Sequence, residues 1–252
     1  MNAVGMKTLL YKEVARFMRV PGQTVLAPLI STSLYFVVFG SLAGSLRTVE
    51  GVPYLRFIVP GLVFMGIANN AFLNSSSSLF ITKIQGTIVD LLAAPLGPAE
   101  LLFGFITGAM IRGLAVGLLI WLVSALFTDF SLAHPLVAVG VLLLVSYTFA
   151  MLGLLAAVWA EKFEQINFFP TFVMVPLTFL GGVFYSVKTL PPPWNTISLL
   201  NPMVYMAELM RFGFLDRTAF SPVVGGAVLL ALSLVSTGVA VAALRSGYKL
   251  KQ

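Results

Sequence analysis

Six stretches of 20 or more residues run almost free of charge, and no other feature constrains this chain so strongly. They cover residues 24–44, 57–79, 101–127, 136–160, 168–187 and 222–244, and Arg112 is the one charged residue inside any of them. A helix needs about 20 mostly apolar residues to cross the hydrocarbon of a bilayer, so each run predicts a span. None shows the period-two polarity of a transmembrane barrel strand. The predicted fold is therefore an all-α membrane protein with six transmembrane helices.

Composition points the same way. With 59% hydrophobic and 10% charged residues, and a mean hydropathy of +0.99, the chain cannot clothe a soluble surface, since soluble domains average about 25% charged residues. There is no cysteine, which excludes disulfides and thiolate metal sites. The net charge of +6 sits at the ends of apolar runs. That is the pattern of membrane topology, and no nucleic-acid partner is expected.

An even number of spans places both termini on one side, and the Lys/Arg bias selects it. One side carries Lys7, Lys12, Arg16, Arg19, Lys83, Lys162, Arg245, Lys249 and Lys251; the other carries Arg47, Arg56, Lys188, Arg211 and Arg217. Both termini are expected to be cytoplasmic. Before the first span, within residues 1–22, Met6, Leu9, Leu10, Val14, Phe17 and Met18 share a helical stripe that the basic residues avoid. This describes an amphipathic helix lying in the membrane interface. It either anchors the topology or contacts a partner, and Pro21 and Gly22 end it.

Two segments need more than spanning. Residues 84–100 contain a short helical pattern, with Ile88, Leu91 and Leu92 on one side and Thr87 and Asp90 at its start. Gly86 and Pro95 bound it. A helix of about two turns is too short to cross and too apolar to float free, so it docks either on another protein or on lipid. Residues 189–215 are interrupted by Pro191, Pro192, Pro193 and Pro202, which favours short re-entrant helices packed against the spans. Trp194 and Tyr205 suit the interface, and Glu208 and Arg211 have the spacing of a helical ion pair.

Polar residues inside the runs are the candidates for a pathway. Arg112 near the middle of a span costs roughly 2.5 to 3.5 kcal/mol unless it faces protein or water, or snorkels to headgroups. Asn69, Asn70, Asn74 and the serines 75–78 either line a path or bind helices together. Gly181 and Gly182 permit a close approach or a bend, with Pro170 and Pro176 weakening the same ladder. Phe168, Phe169, Phe172, Phe179 and Phe184 face either an apolar path or lipid. His134, with Asp129 nearby, reads as a solvated turn rather than a metal or catalytic site.

The series GTIVDLLAAPL after the second run, FIVPGL at 57–62, FLGGVFYS in the fifth run and LPPPWNTISLLNPMVYMAELMRFGFL before the sixth resembles the type-two ABC exporter permeases over essentially the whole chain. The resemblance implies a homodimer bound to two copies of a cytosolic nucleotide-binding ATPase, in a bacterial inner membrane, with substrate moving along the dimer interface. It places Gly86, Thr87, Ile88, Asp90, Leu91, Leu92 and Pro95 at the position of the coupling helix that inserts into the ATPase. Pro191, Trp194, Asn201 and Pro202 fall at the position of a re-entrant outer gate.

No G-x-x-x-x-G-K-[ST] phosphate loop occurs in the sequence. ATP and Mg are accordingly expected at the partner, with no cofactor on this chain and no catalysis by it. An amphiphilic, lipid-like or drug-like substrate is the expectation from spans rich in Phe and Met. The alternative, a proton- or ion-coupled carrier, would place Asp or Glu within the spans, and none lies there. An intramembrane enzyme would need converging nucleophile, base or metal ligands, and none converges.

Overall fold

A computed structural model of the chain describes residues 2–42, 48–129, 132–247 and 249. Arg47 and Lys251, counted in the charge bias, lie outside the described residues. So do positions 43 and 44 of the first run and the side chain of Leu92.

The described residues fold into helices joined by short connections. They are α1 (Ala3–Met18), α2 (Ala27–Leu42), α3 (Tyr54–Ile84), α4 (Ile88–Ala93), α5 (Pro98–Ser124), α6 (Pro135–Trp159), α7 (Phe163–Phe168), α8 (Val175–Phe179), α9 (Trp194–Leu199), α10 (Pro202–Leu215) and α11 (Pro222–Ser246). Wide π-helical turns, Gly22–Leu26 and Phe169–Met174, lead into α2 and α8. Among the described residues the one β element is a hairpin of two-residue strands, Thr48–Val49 against Val52–Pro53. Its turn residues Glu50 and Gly51 both have positive φ, the geometry of the tight hairpin turn.

Helix α3 is the axis of the molecule. It is buried on nearly all sides, because α5 and α6 flank it along its length, α2 and α10 close further faces, and α1 reaches it through side-chain bonds at Asn74 and Ser78. Small residues set those distances. A Cβ on Gly153 of α6 would lie 2.3 Å from the Phe72 carbonyl oxygen of α3, and at this point Ser75 Oγ donates to the Ala150 carbonyl at 2.7 Å. Close backbone approach with a hydroxyl bridging it is how helices associate where no hydrophobic drive separates them from lipid. Outside this core, α11 is held on α6 by Thr148–Ser233 (2.6 Å) and Tyr147–Thr237 (2.7 Å) hydroxyl pairs.

Five described helical segments are long and apolar enough to cross a bilayer: Gly22–Gly40, Tyr54–Ile84, Pro98–Ser124, Pro135–Trp159 and Pro222–Ser246. The sixth expected run, 168–187, lies outside those five and is only partly helical: α7, the π turn and α8 form one continuous helical run over 163–179. Pro170 and Pro176 each remove an amide donor from the ladder, the chain answers at the first with a π turn, and the helical run ends at Phe179. Gly182, with φ +72, then turns the backbone away. The amphipathic helix expected before the first span is α1. Leu9, Glu13 and Phe17 of α1 are buried against α5, where Gly104 and Gly108 leave room for Leu9 and Glu13, so α1 is part of the packed body.

Candidate functional site

A cleft of about 510 Å³ opens between α2, α3 and α5. Its polar wall comes from Gln23, Ser31, Asn69, Asn70 and Arg112, and its apolar wall from Leu62, Met65, Val116 and Ile120. Three of the predicted pathway residues thus meet in one cavity. They do so because the polar positions of α3 sort by face. Asn69 and Asn70 turn to the cleft, Ser75 bonds to α6, and Asn74 and Ser78 turn to α1.

At the side of the cleft nearest α1 lies a charged cluster that sequence reasoning missed. The Glu13 carboxylate is fully buried. It accepts from Ser78 Oγ at 2.7 Å and pairs with Lys12 (3.5 Å) and Arg16 (3.3 Å). Arg16 Nη2 also donates to Asn74 Oδ1 at 2.9 Å, the same oxygen that Arg112 Nη1 approaches at 3.5 Å. Arg112 sits near the midpoint of the 27-residue α5, half-buried and turned toward protein rather than snorkelling to headgroups. The signal available in the sequence was the four-residue spacing Leu9, Glu13, Phe17, which puts the carboxylate in the middle of the buried stripe.

The opposite end of the cleft is aromatic. Tyr35 lines the cavity and lies 5.7 Å from the Phe184 ring, which stacks on Phe39 at 4.9 Å and meets Phe179 at 5.5 Å. Phe184 is buried here, whereas Phe172 and half of Phe179 face outward. Tyr54 fixes this corner by donating to the Phe184 carbonyl at 2.9 Å.

Behind it, α10 bolts the Gly182 turn in place. Arg211 is 1% exposed, and the helical ion pair expected from its spacing to Glu208 is formed. It pairs with Glu208, donates to the Gly182 carbonyl at 2.8 Å and lies 3.9 Å from the centre of the Phe57 ring. Glu208 in turn accepts from the Ala219 amide at 2.5 Å. Gly181 is buried beside Gly182. Asn201 caps α10 through the Met203 amide (2.9 Å) and donates to the Leu177 carbonyl (2.6 Å), with Pro202 as the first residue of the helix. Pro191 and Trp194 are exposed in the approach to α9. His134 pairs with Asp216 rather than Asp129, at 2.7 Å, and stacks on Phe212.

The short helix α4 lies at the α1 end. Gly86, with φ +73, makes the turn out of α3, and Thr87 precedes the helix. Ile88 is buried and Leu91 half-buried, both beside Leu79, Leu101 and Phe105. The face offered outward is Gly86, Thr87, Val89 and Asp90, followed by exposed Pro95. Ile88 and Leu91 of the apolar side are thus turned toward the chain itself. Asn2, at the start of α1, donates its amide to Glu100, whose other oxygen accepts from the Gly97 amide at 2.7 Å. The loop after α4 is thereby tied to α1. Nearby, Lys83 donates to the Val158 and Ala160 carbonyls that end α6 (3.1 and 2.8 Å), satisfying groups the helix leaves open.

A family model described as ABC-2 type transporter matches residues 5–215. The chain is 43% identical over 213 residues to the inner membrane transport permease YadH of Escherichia coli, covering 84% of this chain and 83% of that one. It is 28% identical over 203 residues to nodulation protein J of Sinorhizobium fredii (80% and 75% covered), and 24% identical over 189 residues to nodulation protein J of Bradyrhizobium diazoefficiens (75% and 72%).

Proposed function

The chain belongs to the ABC-2 type transporter family, and from that premise we propose that it is the permease subunit of an exporter driven by a separate ATPase. It carries an amphiphilic, lipid-like or drug-like substrate outward across the bacterial inner membrane. The observation that carries this reading is the cleft between α2, α3 and α5, with amides and a guanidinium on one wall and Leu, Met, Val and Ile on the other. A cavity of this size holds a small amphiphile, and few polar groups suffice to orient it.

ATP and Mg act at the partner, and this chain contributes no catalytic group. Both termini are cytoplasmic in this reading, so α1 and α4 face the ATPase. The exposed face of α4, Gly86, Thr87, Val89 and Asp90, is what the ATPase grips, while Ile88 and Leu91 anchor the helix so that a push on it is passed to α3 and α5. The tie from Asn2 to Glu100 passes the same push to α1. A second copy closes the cleft along α2, whose outer face exposes Ile30, Leu34 and Val37, continuing from Leu26 of the π turn before it. The Arg211-pinned turn and the aromatic corner then form the outer closure. The carrier alternative lacks support at the one buried carboxylate near the cleft, because Glu13 is already held by two cations and a hydroxyl.

The test is co-purification with a candidate ABC ATPase subunit, with ATP hydrolysis recorded in lipid. Val89→Arg and Asp90→Arg should leave the thermal unfolding of the isolated permease unchanged, yet lower stimulated hydrolysis at least tenfold, about 1.4 kcal/mol of coupling. Ile88→Arg, by contrast, should lower permease stability itself, since it buries a charge beside Leu79 and Phe105. Unchanged association and turnover in the Val89 and Asp90 variants would defeat the α4 assignment and reopen the ion-coupled carrier.

A further inference from the structure

The charged cluster beside the cleft is unbalanced. Lys12, Arg16 and Arg112 supply three cations, and Glu13 is the only carboxylate among the described residues that any of them reaches. Glu13 is taken by Lys12, Arg16 and Ser78, and no described carboxylate lies within ion-pair distance of Arg112.

The hydrogen-bond inventory leans the same way. Arg16 Nε, Asn74 Nδ2 and Arg112 Nε are buried without a partner among the described residues, and all three are donors. The Asn74 orientation follows from its contacts, since its Oδ1 faces both guanidinium groups. Of the three residues, Arg112 lines the cleft, where its unmatched donor lacks an acceptor, and buried polar groups are costly when unpaired. A cation near the middle of a spanning helix is costly for the same reason.

Resting on the cleft as the substrate path, we propose that the substrate carries an acidic group, held at Arg112 and the amides of Asn69 and Asn70, with its apolar body along Leu62, Met65, Val116 and Ile120. The chemistry that fits is a carboxylate or a phosphate or sulfate ester on a single apolar chain. A guanidinium binds such groups through paired charge-assisted hydrogen bonds. Neutral and cationic amphiphiles of the same size leave Arg112 unmatched and are selected against.

The probe is dansyl-aminoundecanoic acid and its methyl ester, which share one body and differ in charge. Binding is read by fluorescence at pH 8 to the permease and ATPase complex in phosphatidylcholine nanodiscs, a background without anionic lipid. The wild type should bind the acid roughly tenfold more tightly than the ester, the scale of one charge-assisted pair. Arg112→Gln should bring the two within about twofold, and Arg112→Lys should restore part of the gap. Met65→Trp, which fills the cleft, should weaken both probes together. Equal binding of acid and ester by the wild type, both lost in Met65→Trp, overturns the charge assignment and leaves the cleft as path. Binding that Met65→Trp does not change overturns the cleft itself.

Discussion

Glu208→Gln should cost about 3–5 kcal/mol of stability, because it strands Arg211 as a buried cation. Arg211 is 1% exposed, and its neutral contacts, the Gly182 carbonyl and the Phe57 ring, cannot replace the carboxylate. Thermal unfolding of the purified protein in detergent checks the magnitude. The double variant Glu208→Gln with Arg211→Met should recover more than half of the loss, since removing both charges takes away the uncompensated one. No recovery would mean that the bonds to Gly182 and Ala219, rather than the charge pair, hold the turn.

Gly153→Ala is expected to be the most damaging single-methyl change in the chain's helical core. The new Cβ would lie 2.3 Å from the Phe72 carbonyl oxygen and 2.4 Å from Ser75 Oγ. One of these is backbone, so α3 and α6 must part, and the Ser75 bond to Ala150 is lost with them. Overpacking typically costs about 1–3 kcal/mol, occasionally more, and the lost bond adds about 1 kcal/mol. Gly140, in the same helix, has open space where its Cβ would go. Gly140→Ala should therefore be neutral or stabilising by up to about 1 kcal/mol, as helix propensity dictates. Equal effects at the two positions in the same unfolding assay would contradict the close α3–α6 contact.

Much of this architecture can be read from the chain because length and polarity decide it. The runs 57–79, 101–127, 136–160 and 222–244 are long enough to cross and too apolar to do otherwise, and a long helix covers all or nearly all of each. The run 168–187 differs in form from the other runs for a definite reason. A count of apolar residues does not weigh Pro170, Pro176 and Gly182, which break the hydrogen-bond ladder without making the segment any less apolar.

The candidate site divides in the same manner. Arg112, Asn69 and Asn70 stand out as polar residues in apolar runs, and they meet in the cleft. Glu13 does not stand out, because a charge on an amphipathic helix is assigned to the wet face until its partners are known. Those partners, Ser78 and Asn74 through Arg16, lie about sixty residues away in sequence. The apolar side of α4 was ambiguous for a related reason. Ile88 and Leu91 satisfy a groove equally well on another protein or on α3 and α5, and only the fold shows the second. At the end of α6, the exposed Glu161 carboxyl is held below the usual carboxylate range by its hydrogen bond to Lys249, a pairing between positions that no local pattern connects.

The most direct measurement is ATP-dependent movement of the dansyl acid across proteoliposomes containing this chain and its ATPase, oriented so that added ATP reaches only outward-facing ATPase. The account predicts accumulation in the lumen that requires hydrolysable ATP and survives collapse of the proton and sodium gradients. It also predicts that Met65→Trp lowers accumulation at least tenfold while the complex remains assembled. Accumulation driven by an ion gradient without ATP, or unaffected by filling the cleft, would contradict an ATP-driven permease that carries its substrate between α2, α3 and α5.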